Sequence, residues 1–418
     1  MNKRSFIKSF ALAGLTAPAI LESLGNPLPV WNGLEGKPED EDFWLKVRQD
    51  YKLKPDYINL ENGYYCFVPQ PILDKYQKHI QEVNYQGSWY MRTVQWENKD
   101  TVAARLATQF GGTPDEVAIT RNATESLDII ISGYPWQKND EAIFAEQDYG
   151  SIQNMFTLAA RRHGIVNKIV SIPNHPLSDE EIVSIYENAI TPNTKLIMVS
   201  HMINITGQIL PVKKICAMAH RHGVEVMLDG AHCIAHFDFK IDELGCDYYA
   251  CSLHKWLSVP LGAGLLYVKR DKIKKIWPLL APYELDHQNI KNLNHIGTHP
   301  VATDLAINDA LDYYLALGPS RKEARLRYLQ KYWSDQVRDL PGIILNTPSD
   351  PTRSCGIANV GIKGMSPTEM AERLLKSHGI YTVGIAYANV WGCRITPNVY
   401  TTTAELDVFV GALKTLSS

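Results

Sequence analysis

The stretch from Val224 to Arg270, VEVMLDGAHCIAHFDFKIDELGCDYYACSLHKWLSVPLGAGLLYVKR, constrains this chain more than any other. A buried strand over Val224 to Leu228 ends on the carboxylate of Asp229, followed at once by Gly230-Ala231-His232. A second apolar run, Asp247 to Cys251, delivers Ser252-Leu253-His254-Lys255, and Pro260-Leu261-Gly262-Ala263-Gly264 leads into a further strand, Leu265 to Val268. An acid at one strand end and a lysine at the next suit pyridoxal phosphate chemistry. The amine carries the cofactor as a Schiff base, and the acid keeps the pyridine nitrogen protonated so that the ring accepts electrons. Lys255, Asp229 and His232 are therefore the candidate catalytic residues.

The rest of the chain reads as an α/β protein. Val117 to Thr120, Glu141 to Ala145, Lys168 to Ile172 and Leu196 to Ser200 have strand character. They alternate with helices from Thr124, from Gly150 to His163, and from Val212 to His222. Such alternation implies βαβ units, a largely parallel sheet, and ligands gathered at the carboxyl ends of its strands. Helices are also expected over Phe43 to Tyr51, Pro71 to Asn84 and Asn98 to Phe110. A charged helix over Ser320 to Val337 opens a smaller α+β unit, with strands at Ile343 to Leu345, Gly356 to Val360 and Cys393 to Thr396. Helices over Pro367 to His378 and Ala404 to Leu416 complete it. The expected division is a leader over 1–28, a linker and arm over 29–60, a large cofactor domain over 61–311 and a small domain over 312–418.

The leader expectation rests on Lys3-Arg4 ahead of a short apolar run, Phe10 to Ile20, with Ala17-Pro18-Ala19 as a small-residue cleavage site. That is the layout of a signal peptide, resembling a twin-arginine export signal with Lys3 in place of the first arginine. The expected location is periplasmic or exported, or cytoplasmic if the leader is a frayed helix that is not processed. A net charge of −3 over 418 residues gives no polybasic face for nucleic acid. No membrane contact is expected of the mature chain. The seven cysteines include no C-x-x-C and read as free, mostly buried thiols. His232 and His236 share a helical spacing but lack a further ligand to complete a metal site.

Other candidates lie at strand ends. Thr124, read as the cap of its helix, offers a phosphate cup beside Ala123, and the Ser252 hydroxyl offers a second contact. A plain capping motif would look the same. Tyr149 follows a strand end and could stack on a pyridine ring, or be one more packed tyrosine among 21. Asn204 and His232 could each reach the ring hydroxyl, and His254 adjoins the lysine. Arg394, on an apolar strand, has the planar fork for a substrate carboxylate; a buried ion pair is the alternative. Trp89, Tyr90 and Arg92 are candidates for the substrate entrance, or for surface packing.

These residues carry a resemblance. Asn62-Gly63, Arg121-Asn122-Ala123-Thr124-Glu125, Asp148-Tyr149-Gly150, Thr206-Gly207, Asp229-Gly230-Ala231-His232, Ser252-Leu253-His254-Lys255-Trp256-Leu257, Gly297-Thr298 and Arg394 through Tyr400 resemble fold-type I pyridoxal phosphate enzymes of the class V aminotransferase group. The similarity spans about residues 55–415 and looks nearest to the isopenicillin N epimerase branch, with cysteine desulfurases as neighbours. It implies Lys255 as the cofactor lysine and Asp229 at the pyridinium. Ala123, Thr124, Ser252 and His254 would lie at the cofactor, with Asn62 and Arg394 at an amino-acid substrate. It also implies a homodimer in which Thr298 reaches the partner's phosphate. Two departures stand out: Tyr149 and His232 occupy positions where many relatives carry histidine and glutamine. Cys393 sits directly beside Arg394 on a strand, facing the opposite way, which argues against a persulfide-forming thiol. Transamination, epimerisation and β-elimination remain open, as does a catalytically silent binding protein.

Overall fold

A computed structural model describes residues 36–282 and 286–418. The expected leader lies outside the described residues. In chain order the elements are α1 (Glu41–Arg48), β1 (Ile58–Asn59), α2 (Gln70–Gln86), α3 (Ser88–Phe110), β2 (Val117–Thr120), α4 (Ala123–Gly133), β3 (Glu141–Ala145), α5 (Gly150–His163) and β4 (Val166–Val170). There follow α6 (Asp179–Glu187), β5 (Thr194–Ser200), α7 (Val212–Arg221), β6 (Glu225–Asp229), α8 (Ile241–Leu244), β7 (Tyr248–Ser252), β8 (Gly264–Val268) and α9 (Ala302–Leu317). The last are α10 (Pro319–Asp335), β9 (Ile343–Leu345), β10 (Ala358–Ile362), α11 (Pro367–His378), β11 (Ile380–Tyr381), β12 (Val383–Tyr387), β13 (Val390–Ile395) and α12 (Thr403–Ser417).

Seven strands form the main sheet in the order β2-β8-β7-β6-β5-β3-β4. All neighbours run parallel except at β8, which is antiparallel to both β2 and β7. Strands β2, β3, β7 and β8 are buried along their whole length, as expected when helices cover both faces of a sheet. Separate apolar clusters pack on its two faces. Ser200, at the end of β5, stands in register with Asp229, at the end of β6. Asp229 in turn pairs with Ala250 on β7, two residues before Ser252.

The second sheet, β12-β13-β10-β9, is antiparallel and has its own core around Trp333, Leu374 and Phe409. The arm before the large sheet joins this unit: β1 pairs in parallel with β11, and Glu61 bridges Thr396.

Four expectations need correction. The boundary expected between residues 311 and 312 falls inside α9, which runs unbroken to Leu317 and is capped by Gly318. This helix buries residues on most of its circumference, Asp304 and Asp309 included, so it lacks the one-sided pattern that reveals a surface helix. Helix α3 starts at Ser88, well before Asn98, carrying Trp89, Tyr90 and Arg92 on its first turn or two. Strand β4 lies two residues earlier than expected, at Val166–Val170. Strands β11 and β12 were not anticipated. Most of β12 is half-buried or exposed, so it shows no apolar run.

Candidate active site

The site is built at the carboxyl edge of β5, β6 and β7. Asp229 is the last residue of β6 and is buried, and its Oδ1 accepts the Ala231 N–H at 2.9 Å. Burial pushes its carboxyl upward, while the Ala231 N–H and the charge of Lys255 pull it back. Close by, Asp148 is fully buried after β3. It binds Ser200 Oγ at 2.6 Å and the Ala145 N–H at 2.6 Å. Burial, reinforced by Asp229, lifts it to about 7 against the pull of those hydrogen bonds.

Lys255 follows β7 in a tight turn, where the Leu253 N–H bonds Ala263 O and the Ser258 N–H bonds Lys255 O. Its side chain is partly open to solvent. Desolvation lowers its amine to about 8, with Arg394 adding to the effect and Asp229 opposing it. Nζ lies 3.0 Å from His232 Nε2, and the Trp256 indole N–H donates to His232 Nδ1 at 3.4 Å. An accepting Nδ1 places the ring proton on Nε2, aimed at the lysine, which accepts it only as an uncharged amine. Burial, with Lys255 and Arg394 nearby, holds His232 well below the usual histidine range. The pair forms in this sense above about pH 8, where the lowered lysine is uncharged.

Behind this pair the His236 ring stacks on Trp256 with centroids 3.7 Å apart. Its Nδ1–H donates to His232 O at 2.7 Å, and its Nε2 accepts the Gly356 N–H at 2.8 Å. Both nitrogens are used, so His236 is a structural brace for Trp256 and His232. In sequence, His236 and Trp256 stand out as a metal-spacing histidine and part of the lysine motif, not as this brace. The available signal was a tryptophan directly after the lysine and a histidine four residues after His232.

The first turn of α4 lies opposite. Its cap is Asn122, not Thr124: Asn122 Oδ1 accepts the Glu125 N–H at 2.8 Å. The Ala123 N–H donates to Ser252 Oγ at 2.9 Å, tying the helix start to the end of β7. Thr124 stands second in the helix, where its N–H has no carbonyl four residues back. His254 Nδ1 is buried without a hydrogen-bond partner among the described residues. An unpaired buried polar atom is costly, and here it adjoins the lysine.

At the other end stands Arg394 on β13. Its guanidinium is 9% exposed and pairs with Glu61: Nη2 to Oε1 at 2.5 Å and Nε to Oε2 at 3.1 Å. The ion pair offered as the alternative forms along the Nε–Nη2 edge of Arg394, and the Nη1–Nη2 edge, the other half of the fork expected for a substrate carboxylate, is not taken up by Glu61. Glu61 was missed because Ile58-Asn59-Leu60-Glu61-Asn62-Gly63 reads as a short strand running into a turn and its partner lies 333 residues away. Asn62, expected at the substrate, is consumed in packing. Its Nδ2 donates to Thr396 O at 2.7 Å, and its Oδ1 accepts from Asn59 at 2.8 Å and Tyr400 at 2.7 Å. Asn204 offers its backbone oxygen to Arg394 Nη1 at 3.3 Å. Tyr149 caps α5 at the end of β3 and is 45% exposed.

Thr298 does not join these residues within one chain. It is exposed and lines a groove of about 1250 Å³ with Arg92, Trp96 and Lys99. Trp89, on the same helix as Arg92, is 66% exposed, while Tyr90 is buried.

Residues 66–408 match the family described as aminotransferase class-V. The chain is 26% identical over 397 residues to isopenicillin N epimerase of Streptomyces clavuligerus, covering 90% of this chain and 98% of that protein. It is 24% identical to a probable cysteine desulfurase of Mycolicibacterium paratuberculosis, over 89% of this chain and 58% of the other. Among solved structures, the apo cysteine desulfurase of Thermococcus onnurineus superposes with a TM-score of 0.79 at 20% identity, covering 89% of this chain and 97% of that one. The cystine C–S lyase C-DES, in complex with cysteine persulfide, superposes with a TM-score of 0.76 at 21% identity, covering 86% of this chain and 97% of that one. At such identities the structural likeness speaks for the fold.

Proposed function

The chain belongs to the class-V aminotransferase family, and from that premise we propose an enzyme working at the α-carbon of an amino acid or amino-acid-containing compound, by epimerase or aminotransferase chemistry. Its cofactor is pyridoxal 5′-phosphate, and the residues present fit it. A lysine with a lowered amine, a buried carboxylate at a strand end, the first turn of α4 with Ser252, and an unpaired His254 nitrogen lie together at the carboxyl edge of β6 and β7. When bound, the cofactor joins the lysine amine and withdraws electrons from the α-carbon of an amino substrate.

The chain's own residues then have definite tasks. Asp229, buried beside the site, holds the negative charge that a protonated ring nitrogen needs. Ala123, Thr124 and Ser252 present N–H and O–H groups to a phosphate at a helix start. Lys255 Nζ, once released, accepts the α-proton, and an amine near 8 is tuned to do so close to neutral pH. His232 Nε2–H holds that nitrogen in place. The observation carrying this reading is the 3.0 Å contact between an amine lowered to about 8 and an imidazole that cannot take its charge.

Cys393 is buried on β13, its thiol directed to Pro367 O at 3.6 Å, and burial pushes it up to about 11. Every cysteine is buried, which disfavours a mobile thiol that would accept sulfur from a substrate. A β-elimination needs no such thiol and stands as the competing chemistry. Incubation of the holoenzyme with amino acids in heavy water separates the outcomes. Deuterium at the α-carbon with loss of optical purity marks epimerisation. Keto acid retaining the β-substituent marks transamination, and pyruvate with released sulfide from cysteine or cystine marks a lyase. Absence of all three, with cofactor bound, would refute the enzyme.

Homodimerisation is part of the same proposal. Exposed Thr298, in a groove with exposed Trp96, supports a shared surface. Sedimentation equilibrium should give twice the chain mass, and a monomer would refute it.

A further inference from the structure

The loop after β3 sets two residues at the edge of the site: Asp148, whose Oδ1 accepts the Ser200 hydroxyl at 2.6 Å, and Tyr149, exposed beside it. Ser200 stands in register with Asp229, so this loop borders the cofactor carboxylate across one strand end. Gln153, on the first turn of α5, gathers the loop. Its Nε2 reaches Asp148 O at 2.9 Å, Glu146 O at 3.1 Å and Ala145 O at 3.2 Å, two N–H groups shared among three carbonyls. Its Oε1 accepts the Tyr387 hydroxyl at 2.8 Å, from the end of β12 in the second sheet. Two residues on, Asn389 Oδ1 accepts from Nε2 of the buried Gln147 at 2.9 Å. Asn389 Nδ2 donates to Ile172 O at 2.9 Å, and its backbone oxygen accepts from Asn174 Nδ2 at 3.1 Å. Between Tyr387 and Asn389, at the turn from β12 to β13, Ala388 has a φ of 50°. A non-glycine residue there is strained unless its surroundings hold it, and the bonds to Gln153, Gln147, Ile172 and Asn174 do so. The same hairpin carries Arg394 near its base, opposite Val383.

We propose that Tyr387 and Asn389 are positioning residues: from the second sheet they fasten the loop carrying Asp148 and Tyr149, through Gln153 and Gln147, and so fix how Tyr149 meets the cofactor ring. The inference rests on the reading of Tyr149 as the residue that stacks on that ring. Tyr387 is exposed, so this latch adds little apolar burial. Its effect is one of geometry, the placing of one short loop against a bound group. A merely structural contact would hold the two sheets together and leave the surroundings of the ring unchanged.

The test uses the full chain loaded with pyridoxal 5′-phosphate. Visible circular dichroism of the bound cofactor reports the asymmetry around its ring, and the rate of cofactor release reports how firmly it is held. Neither readout needs turnover, so the result stands apart from the α-carbon reading. Tyr149→Ala sets the scale and should change both. Tyr387→Phe keeps the aromatic ring and removes only the bond to Gln153. It should speed release about 3-fold, and Tyr387→Phe with Asn389→Ala about 10-fold, each with a weakened dichroic band. Added to Tyr149→Ala, the same two changes should alter release by no more than about 2-fold, because their effect passes through that residue. Full additivity overturns the proposal, as does a loss of thermal stability with both cofactor readouts unmoved. Gln153→Met cuts the latch from the other side and should match or exceed Tyr387→Phe; a smaller effect overturns the proposal. If Tyr149→Ala leaves both readouts unchanged, the stacking reading fails and the proposal with it. A clear Tyr149→Ala effect beside silent latch variants overturns the proposal alone.

Discussion

Two lysines in this molecule have been shifted equally by burial, and they differ in everything else. Lys255 and Lys322 are each lowered from 10.5 to about 8, chiefly by desolvation. They stand on either side of one residue. Trp256 gives its indole N–H toward His232 and hence toward Lys255, while its carbonyl accepts the amine of Lys322. Lys255 is partly open to solvent at the edge of the main sheet and faces a buried carboxylate and an imidazole N–H. Lys322, on α10, is 6% exposed, with its ammonium 5.7 Å from the centre of the Tyr314 ring. A lowered amine is therefore no mark of a catalytic lysine by itself. Access, with groups that can receive a cofactor, makes the difference. Arg394 adds a third case, a buried cation given a carboxylate partner and so held as a fixed element of the wall.

The largest effect expected comes from Lys255→Ala. Removing the proton acceptor alone should cost about 10²–10⁴-fold in kcat, with the cofactor no longer covalently held. Steady-state rates and the absorption spectrum check this; a variant with near-wild-type activity would equate the two lysines. Next, His232→Ala removes the N–H that holds Lys255, and kcat should fall about 10–100-fold. The acidic limb of its pH–rate profile should move, which loss of packing alone would not cause. Gly63→Ala should push the Arg394 guanidinium from its place and raise KM several-fold with kcat nearly unchanged; equal losses in kcat would contradict a substrate-binding role for Arg394.

The smallest effect is one of stability. In the apoprotein the folded Lys322 sheds its proton near 8 and an unfolded lysine near 10.5. The unfolded chain therefore binds more protons across that window, and this residue's destabilising contribution is full below about pH 8 and fades as pH rises to 10.5. Lys322→Met should raise stability at pH 7 by about 1–3 kcal/mol, and the gain should vanish by about pH 10.5. Denaturant titrations at the two pH values decide it. A gain independent of pH would mean the amine is not penalised by burial.

Sequence made Asp229 and Lys255 legible because both follow apolar runs that could only be strands, and ligands gather at such ends. It also exposed the α/β alternation. What escaped depended on partners distant in the chain. Asn62 looked available but is saturated by Thr396 and Tyr400, and the ion pair weighed for Arg394 had no visible partner, since Glu61 lies far away in sequence. Thr124 and Asn122 are both good caps, and spacing alone did not choose between them. Helix α9 hid because its polar residues are buried in pairs, such as Asp309 with Lys75 and His79.

The most direct test of the account is to reduce the holoenzyme with borohydride and locate the phosphopyridoxyl group by peptide mass spectrometry. The account predicts the label on Lys255, with Lys322 unmodified. Label on Lys322, or on no lysine in a protein that holds the cofactor, would contradict it.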